Sequence, residues 1–147
     1  MKSIRITLCV FALLFTPILA LADEPSFDSM TNIQIEQYCA AGNGGTREIE
    51  YCANREFQKA DRKLNVTYNQ ALALIKANSA ISPMDKSMRH KFVKAQKLWI
   101  SFRDAECSAH YTYYIDGTIR GLMFISCKTQ LTEQREKDLR EFYLSTN

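Results

Sequence analysis

After a predicted leader segment, the chain has four cysteines, Cys39, Cys52, Cys107 and Cys127. Their residue type makes them the first candidates for chemistry in this sequence. Such residues form disulfides, bind a metal or supply a catalytic thiol. The last two uses are disfavoured, because the chain has no C-x-x-C pair and only two histidines, His90 and His110. In an oxidising compartment an even set of cysteines indicates disulfides. The sequence therefore predicts two disulfides and no metal site.

Motifs typical of enzymes do not occur in the sequence. The chain has no G-x-S-x-G nucleophile turn, no phosphate-binding glycine loop, no H-E-x-x-H zinc pair and no haem-attachment C-x-x-C-H. The acids Glu48, Glu50 and Glu56 fall on what their spacing predicts to be the charged face of a helix. We therefore predict that the protein is not an enzyme, has no catalytic residues and uses no cofactor.

The N-terminus has the order of a secretory signal peptide. Basic residues precede an apolar run over residues 6–19, and a small-x-small cleavage site ends at Ala22. An uncleaved membrane anchor is the alternative, but the run is shorter than the roughly 20 residues that span a bilayer. We predict a signal peptide over residues 1–22, cleaved near Ala22–Asp23. The remaining domain, residues 23–147, is expected to be periplasmic or secreted, with no integral membrane span.

The net charge of the predicted mature chain is small. Two of the 19 basic residues lie in the signal peptide, which leaves 17 against 16 acidic residues and a net charge of +1. A protein that binds nucleic acid usually carries a strong basic surface. We therefore predict no nucleic-acid partner.

Three long segments show the spacing of amphipathic helices. Apolar residues recur at three- and four-residue steps in segments that begin at Thr46, at Ser82-Pro83 and near Leu122, and a shorter helix is expected over residues 31–40. Short connections between long helices favour an up-down-up order. We predict an all-α fold: an antiparallel three-helix bundle with long helices, a short N-terminal helical segment and two disulfides. The large side chains expected to point inward are Ile49, Phe57, Leu64, Tyr68, Leu72, Ile75, Met84, Met88, Phe92, Trp99, Phe102, Phe124, Leu131, Leu139 and Phe142.

Such a bundle brings three of the cysteines, Cys52, Cys107 and Cys127, to one end. We prefer the pairs Cys39–Cys52 and Cys107–Cys127, because each closes a short loop and contributes about 3 kcal/mol in the chain-entropy model. Crossed pairs, such as Cys52–Cys107, remain possible in the same geometry.

The same alignment of helices brings several polar residues to one level of the predicted core. We predict that Asp61 on the first long helix pairs with Arg135 on the third, beside Trp99. Further members of this predicted network are Asn65, Gln96, Arg103 and Thr132. The alternative is that all of them are solvated surface groups. The network, if formed, is structural, because breaking one partner of a buried ion pair costs roughly 3–5 kcal/mol.

The connection between the second and third long helices is rich in tyrosine. Its candidate partner-binding residues are Tyr111, Tyr113, Tyr114, Ile115 and Arg120. Tyrosines on a rigid platform are frequent anchors in protein interfaces. The alternative is that these rings cap the end of the bundle.

Three motifs follow one another along the chain. They are Ala60-Asp61-x-x-Leu64-Asn65-x-x-Tyr68 after Cys52, Ala95-Gln96-x-x-Trp99-x-x-Phe102-Arg103-Asp104-x-x-Cys107, and Cys127-x-x-x-Leu131-Thr132-x-x-Arg135-x-x-x-Leu139. Together they resemble the LprI-type lysozyme-inhibitor family, over about Cys39 to Leu139. The resemblance implies a small exported helical protein with paired cysteines, whose partner is a lysozyme or another envelope protein. It implies inhibition of a peptidoglycan hydrolase by protein–protein contact. The alternative is a cell-envelope binding or structural module without inhibitor activity.

Overall fold

The computed structural model describes residues 26–42, 44–78 and 83–145. The predicted signal peptide with its cleavage site lies outside these residues, and so does Ser82. A short 3-10 turn, Phe27–Ser29, precedes four α-helices. These are α1 (Asn32–Ala41), α2 (Thr46–Asn78), α3 (Pro83–Tyr113) and α4 (Arg120–Tyr143).

Local capping interactions fix both ends of α1. At its start, the Thr31 hydroxyl accepts a bond from the Gln34 amide, and the Gln34 side chain accepts one from the Thr31 amide. This reciprocal arrangement satisfies two backbone donors that would otherwise have no partner. At its end, Gly42 adopts a left-handed conformation with φ of 66°. Glycine takes this conformation without steric cost, so the chain can turn back here towards α2.

The core lies where α2, α3 and α4 meet. Its fully buried apolar residues are Leu64, Ala71, Ile75, Phe92 and Leu139. Phe92 of α3 stacks on Tyr68 of α2 at 5.1 Å between ring centroids, and its other side meets the edge of Tyr143 of α4 at 4.9 Å. One aromatic ring therefore joins all three long helices. Burial of this apolar surface is what stabilises helices of this length, since isolated helices are marginal in water.

Contacts along the helices show how they align. Towards the C-terminal half of α3 the disulfide Cys107–Cys127 joins α3 to α4, and towards its start Phe92 meets Tyr143 near the end of α4. The prediction of an all-helical fold with two disulfides is confirmed within the described residues, which contain no strand. The antiparallel three-helix order stays a prediction.

Four of the large side chains predicted to point inward are exposed, namely Ile49, Met88, Phe102 and Phe142, so that prediction is wrong for them. Phe102 is 55% exposed and Phe142 79%. At these last two positions the next residue faces inward instead: Arg103 is buried, and Tyr143 packs on Phe92. Successive residues of a helix point about 100° apart, so both members of such a pair cannot face the core.

Candidate functional site

A buried arginine lies at the centre of the predicted polar network. Arg103 of α3 donates through Nη1 to Thr132 Oγ1 of α4 at 3.2 Å and to Asp61 Oδ1 of α2 at 3.3 Å. Its Nε donates to Asp104 Oδ1 at 3.0 Å. The side chain is 8% exposed, while the two carboxylates are about half exposed and Thr132 is fully buried. A single guanidinium therefore links α2, α3 and α4.

Aromatic rings hold the same guanidinium from both sides. The Arg103 Cζ lies 5.4 Å from the ring centroid of Phe57 and 5.2 Å from that of Trp99. Arg135 approaches Trp99 at 5.9 Å and donates to the buried Gln96 Oε1 at 3.1 Å. Cations over ring faces are attracted by the ring quadrupole, and the planar guanidinium also stacks well. The partly buried Trp99 ring therefore lies within about 6 Å of two guanidinium groups.

The structure corrects one pairing in the predicted network. Asp61 binds Arg103 and accepts from Asn65 Nδ2 at 3.1 Å, whereas Arg135 binds Gln96. The predicted pair Asp61–Arg135 is therefore wrong: each of the two side chains binds another member of the predicted network. The sequence prediction had placed Cys52 and Cys127 at the same level along the helix axes.

The cause of this error is the register of α2 against α4. Lys128 of α4 lies over Phe57 at 4.6 Å, and Gly121 lies against Glu50. Cys52 is therefore offset from Cys127 by about one helical turn, roughly 5.4 Å along the axis. The offset brings Asp61 level with Thr132 and Arg103, and not with Arg135.

A second buried polar group was missed by the sequence prediction. Glu136 of α4 is buried, and it accepts from the hydroxyl of Thr67 of α2 at 2.7 Å. Lys63 Nζ lies 3.3 Å from its other oxygen, and Arg140 binds it from the next turn of α4. Burial alone would raise the pKa of Glu136, but the bonds from Thr67, Arg140 and Lys63 outweigh it and hold this pKa below the ordinary value. A carboxylate is therefore kept charged between α2 and α4.

One sequence signal could have indicated this group. Glu136 and Arg140 are four residues apart, the spacing at which opposite charges pair on a helix. Thr67 gives no such signal, because threonine is mostly found exposed and its burial here could not be expected. Only the tertiary contact between α2 and α4 identifies it.

Arg120 makes several hydrogen bonds to the candidate partner-binding loop. Arg120 Nε donates to Tyr111 Oη at 3.1 Å, and Nη1 donates to the carbonyl oxygens of Ile115 and Gly117 at 3.4 and 3.2 Å. The guanidinium also lies 6.0 Å from the centroid of the Tyr111 ring. The Tyr114 carbonyl accepts from the Gly117 amide at 2.9 Å. These bonds tie both ends of the connection between α3 and α4 to one side chain.

Apolar side chains at this end of the protein are exposed. Tyr113 is 82% exposed, and Ile115 and Ile119 are about half exposed. Tyr114 is half-buried and meets the edge of the Tyr113 ring at 5.0 Å between centroids. Ile119 was not among the predicted loop residues. Beneath the loop lies the disulfide Cys107–Cys127, whose two cysteines are buried.

The other disulfide, Cys39–Cys52, ties α1 to α2. The four cysteines thus form the sequential pairs. Beside Cys39–Cys52 lies an open groove of about 520 Å³, lined by both apolar and charged side chains such as Ile49, Glu36 and Lys59. Lys59 bridges Glu36 at 3.0 Å across this groove. The charged side chains Glu36 and Lys59 of this groove are thus paired with each other, and neither is a free acid or base beside the apolar lining.

The described residues contain neither a metal-binding cluster nor a helix that could span a membrane. No cluster of three or more His, Cys, Asp or Glu side chains in the described ranges is arranged to hold a metal ion. No helix within those ranges is long and apolar enough to cross a membrane.

Comparisons with known proteins agree with the motifs. The family model described as "Lysozyme inhibitor LprI" matches residues 39–139. An uncharacterised protein of Rhizobium meliloti (strain 1021) is 26% identical over 98 residues, which are 64% of this chain and 70% of the relative. No solved structure gives a significant match. The matched segment includes both disulfides, the Arg103 network and the loop between α3 and α4. The chain therefore belongs to the LprI lysozyme inhibitor family.

Proposed function

We propose that the protein inhibits a lysozyme-type peptidoglycan hydrolase and binds it through residues 111–119. Membership of the LprI family supports the activity. The observation that carries the assignment to this surface is the fastening of an exposed apolar loop by Arg120. An inhibitor of this kind acts by covering the substrate cleft, in which lysozymes hold two carboxylates close together.

The geometry of the loop suits a binding surface. A loop already held in one conformation loses little conformational entropy when a partner binds. Tyr113 offers a large ring with few rotatable bonds, and Ile115 and Ile119 add apolar surface beside it. Asp116 is exposed in the same loop and presents a carboxylate to a cationic enzyme.

A lysis assay tests this proposal. The mature protein is titrated against several lysozyme types while the turbidity of a bacterial suspension is followed. We expect Tyr113→Ala to weaken inhibition by about 30-fold, the effect of losing an interface anchor worth roughly 2 kcal/mol. Val66→Ala, an exposed apolar residue on α2, is the matched control and should leave inhibition unchanged.

The second candidate is an envelope-binding module that uses the same loop without inhibiting a hydrolase. The absence of a motif for catalysis and the exposed rings of the loop suit it equally well. Pulldown from envelope extract, with Tyr113→Ala as the negative bait, separates the two. Lack of inhibition at micromolar excess, with an envelope protein that binds wild type and not the variant, would favour the module.

Three further expectations belong to this proposal. We propose export by a signal peptide over residues 1–22 to the periplasm or the medium, supported by the sequence order of that segment. We propose that the protein is not an enzyme, supported by its membership of a family named for inhibition. We also propose that α2, α3 and α4 form an antiparallel bundle, supported by the contacts of Cys107 with Cys127 and of Phe92 with Tyr143.

A further inference from the structure

Helix α3 has two stripes of residues at helical spacing, of which only one faces the core. The inward stripe holds the buried Phe92, Gln96, Arg103 and Cys107. The second stripe follows steps of alternately three and four residues and consists of Met88, Lys91, Ala95, Leu98, Phe102, Ala105, Ala109 and Thr112. All eight are exposed, Leu98 by 60%. We call these eight residues the outer stripe.

The spacing of the outer stripe is that of a coiled-coil seam. Steps of three and four residues repeat every seven, so the stripe stays on one side of a helix that packs against a second helix. A surface helix that only covers its own core needs one such stripe. Large exposed side chains on the outer stripe, such as Leu98 and Phe102, therefore suit a helix from outside this chain.

We propose that the outer stripe binds the outer stripe of a second copy of this chain, with the two α3 helices antiparallel. A rotation by 180° about an axis that passes midway between Leu98 and Phe102 places each residue position of the stripe on another position of the stripe. Leu98 then faces Phe102 of the second copy, and Ala95 faces Ala105 of the second copy. Small side chains on either side of a central pair of large ones let the two helix backbones approach closely. Such self-complementarity is what a twofold interface requires.

The distribution of charge along α3 favours an antiparallel pair over a parallel one, and a second copy over an anionic membrane. The first half of α3 has the exposed cations Arg89, Lys91, Lys94 and Lys97. Its second half has the exposed Glu106 and the half-exposed Asp104, which also pairs with Arg103 and Lys128 of its own chain. An antiparallel pair places each basic half beside the acidic half of the other copy. A parallel pair would bring like charges within the Debye length of about 8–10 Å. An anionic bilayer would attract the first half and repel the second.

The proposed interface ends at Thr112, so Ile115 and Ile119 of the loop lie beyond its edge and Tyr113 lies at that edge. The centre of the interface lies at Leu98 and Phe102, so the loops of the two copies fall at opposite ends. The proposal therefore does not depend on what the loop binds. A variant that breaks the dimer is expected to keep the inhibition or binding carried by Tyr113.

Sedimentation velocity of the mature protein tests the dimer, at concentrations from about 1 to about 300 µM, which cover weak reversible association. We expect a dimer that dissociates on dilution. Leu98→Glu should raise its dissociation constant at least about 100-fold, because each copy loses an apolar contact and gains a carboxylate there. Leu74→Glu, the same change at a half-exposed position of α2, is the control and should leave the dimer intact. A wild-type monomer throughout, or a dimer unaffected by Leu98→Glu, would overturn the proposal.

Oxidative cross-linking tests the orientation. Ala95→Cys and Ala105→Cys are prepared separately with the native disulfides in place. An antiparallel pair predicts cross-linked dimers when the two variants are mixed, and little when either is alone, because the two copies of position 95 lie about 15 Å apart along the axis. Cross-linking of Ala95→Cys with itself as the main product would refute the antiparallel arrangement.

Discussion

Replacing Arg103 by methionine should destabilise the fold more than any other single change in the polar network. The change keeps much of the side-chain volume and removes the guanidinium. The Thr132 hydroxyl, which is fully buried, then loses its partner, and an unsatisfied buried group costs about 1–3 kcal/mol. Asp61 and Asp104 are partly exposed and regain water, so each adds only about 0.2–1 kcal/mol. The expected loss is about 3 kcal/mol.

Urea unfolding measures this loss. Trp99, the single tryptophan of the chain, lies against Arg103, so its fluorescence follows the opening of this region directly. With a urea slope of about 2 kcal/mol/M, a loss of about 3 kcal/mol lowers the midpoint by about 1.5 M. Both disulfides stay oxidised throughout, which keeps the transition close to two-state.

Arg135→Met is the matched control, because Arg135 also lies over Trp99 but binds only Gln96 among the network residues. We expect a loss of about 1–2 kcal/mol for it, because the buried Gln96 oxygen loses the Arg135 donor but no carboxylate loses a partner. Combined with Asp61→Ala, the Arg103 change should be non-additive by more than about 0.5 kcal/mol, and the Arg135 change additive. A loss below about 0.5 kcal/mol for Arg103→Met, or coupling of Asp61 to Arg135, would refute this account of the network.

Three other changes give separate tests. The pKa of Glu136 is lowered in the folded protein, so its contribution to stability is present above the ordinary value of 4.5 and is lost as the pH falls through the folded pKa. Glu136→Gln should therefore reduce the dependence of the unfolding free energy on pH in that acidic range. An unchanged pH dependence would contradict this. An added Cβ at Gly121 would lie 2.7 Å from Glu50 Cδ; Gly121→Ala should therefore stabilise by about 1 kcal/mol in a Glu50→Ala background and by less in wild type, measured by thermal unfolding. Mild reduction followed by alkylation and mass spectrometry should find Cys39 and Cys52 modified first, because they are partly exposed and the other disulfide is buried; simultaneous opening would disprove it.

The helices could be predicted because their signals are local. Thr31 with Gln34, and apolar residues at helical spacing such as Leu64 and Leu139, indicate their structure within a few residues of sequence. The family could be predicted because its motifs retain their order. Both depend on near neighbours along the chain.

The contacts between helices could not be predicted as well, because they depend on register. An error of one turn between α2 and α4 was enough to assign Asp61 to Arg135 when its partner is Arg103. The apolar character of a residue also failed to predict its burial at positions where a neighbouring charged residue is buried instead. Phe102 is exposed beside Arg103 because the guanidinium finds an acceptor on each neighbouring helix, which no property of the residue itself reveals.

The sequential order of the disulfides bears on how the chain acquires them. Four cysteines can pair in three ways. In two of these, the first cysteine must stay reduced until a cysteine beyond its neighbour in the sequence becomes available. Here each cysteine pairs with its neighbour in the sequence, Cys39 with Cys52 and Cys107 with Cys127. In the export that we propose, the N-terminus crosses the membrane first, and each cysteine would meet an oxidase with its native partner as the next cysteine. We therefore expect an oxidase alone to form both disulfides, without a disulfide isomerase.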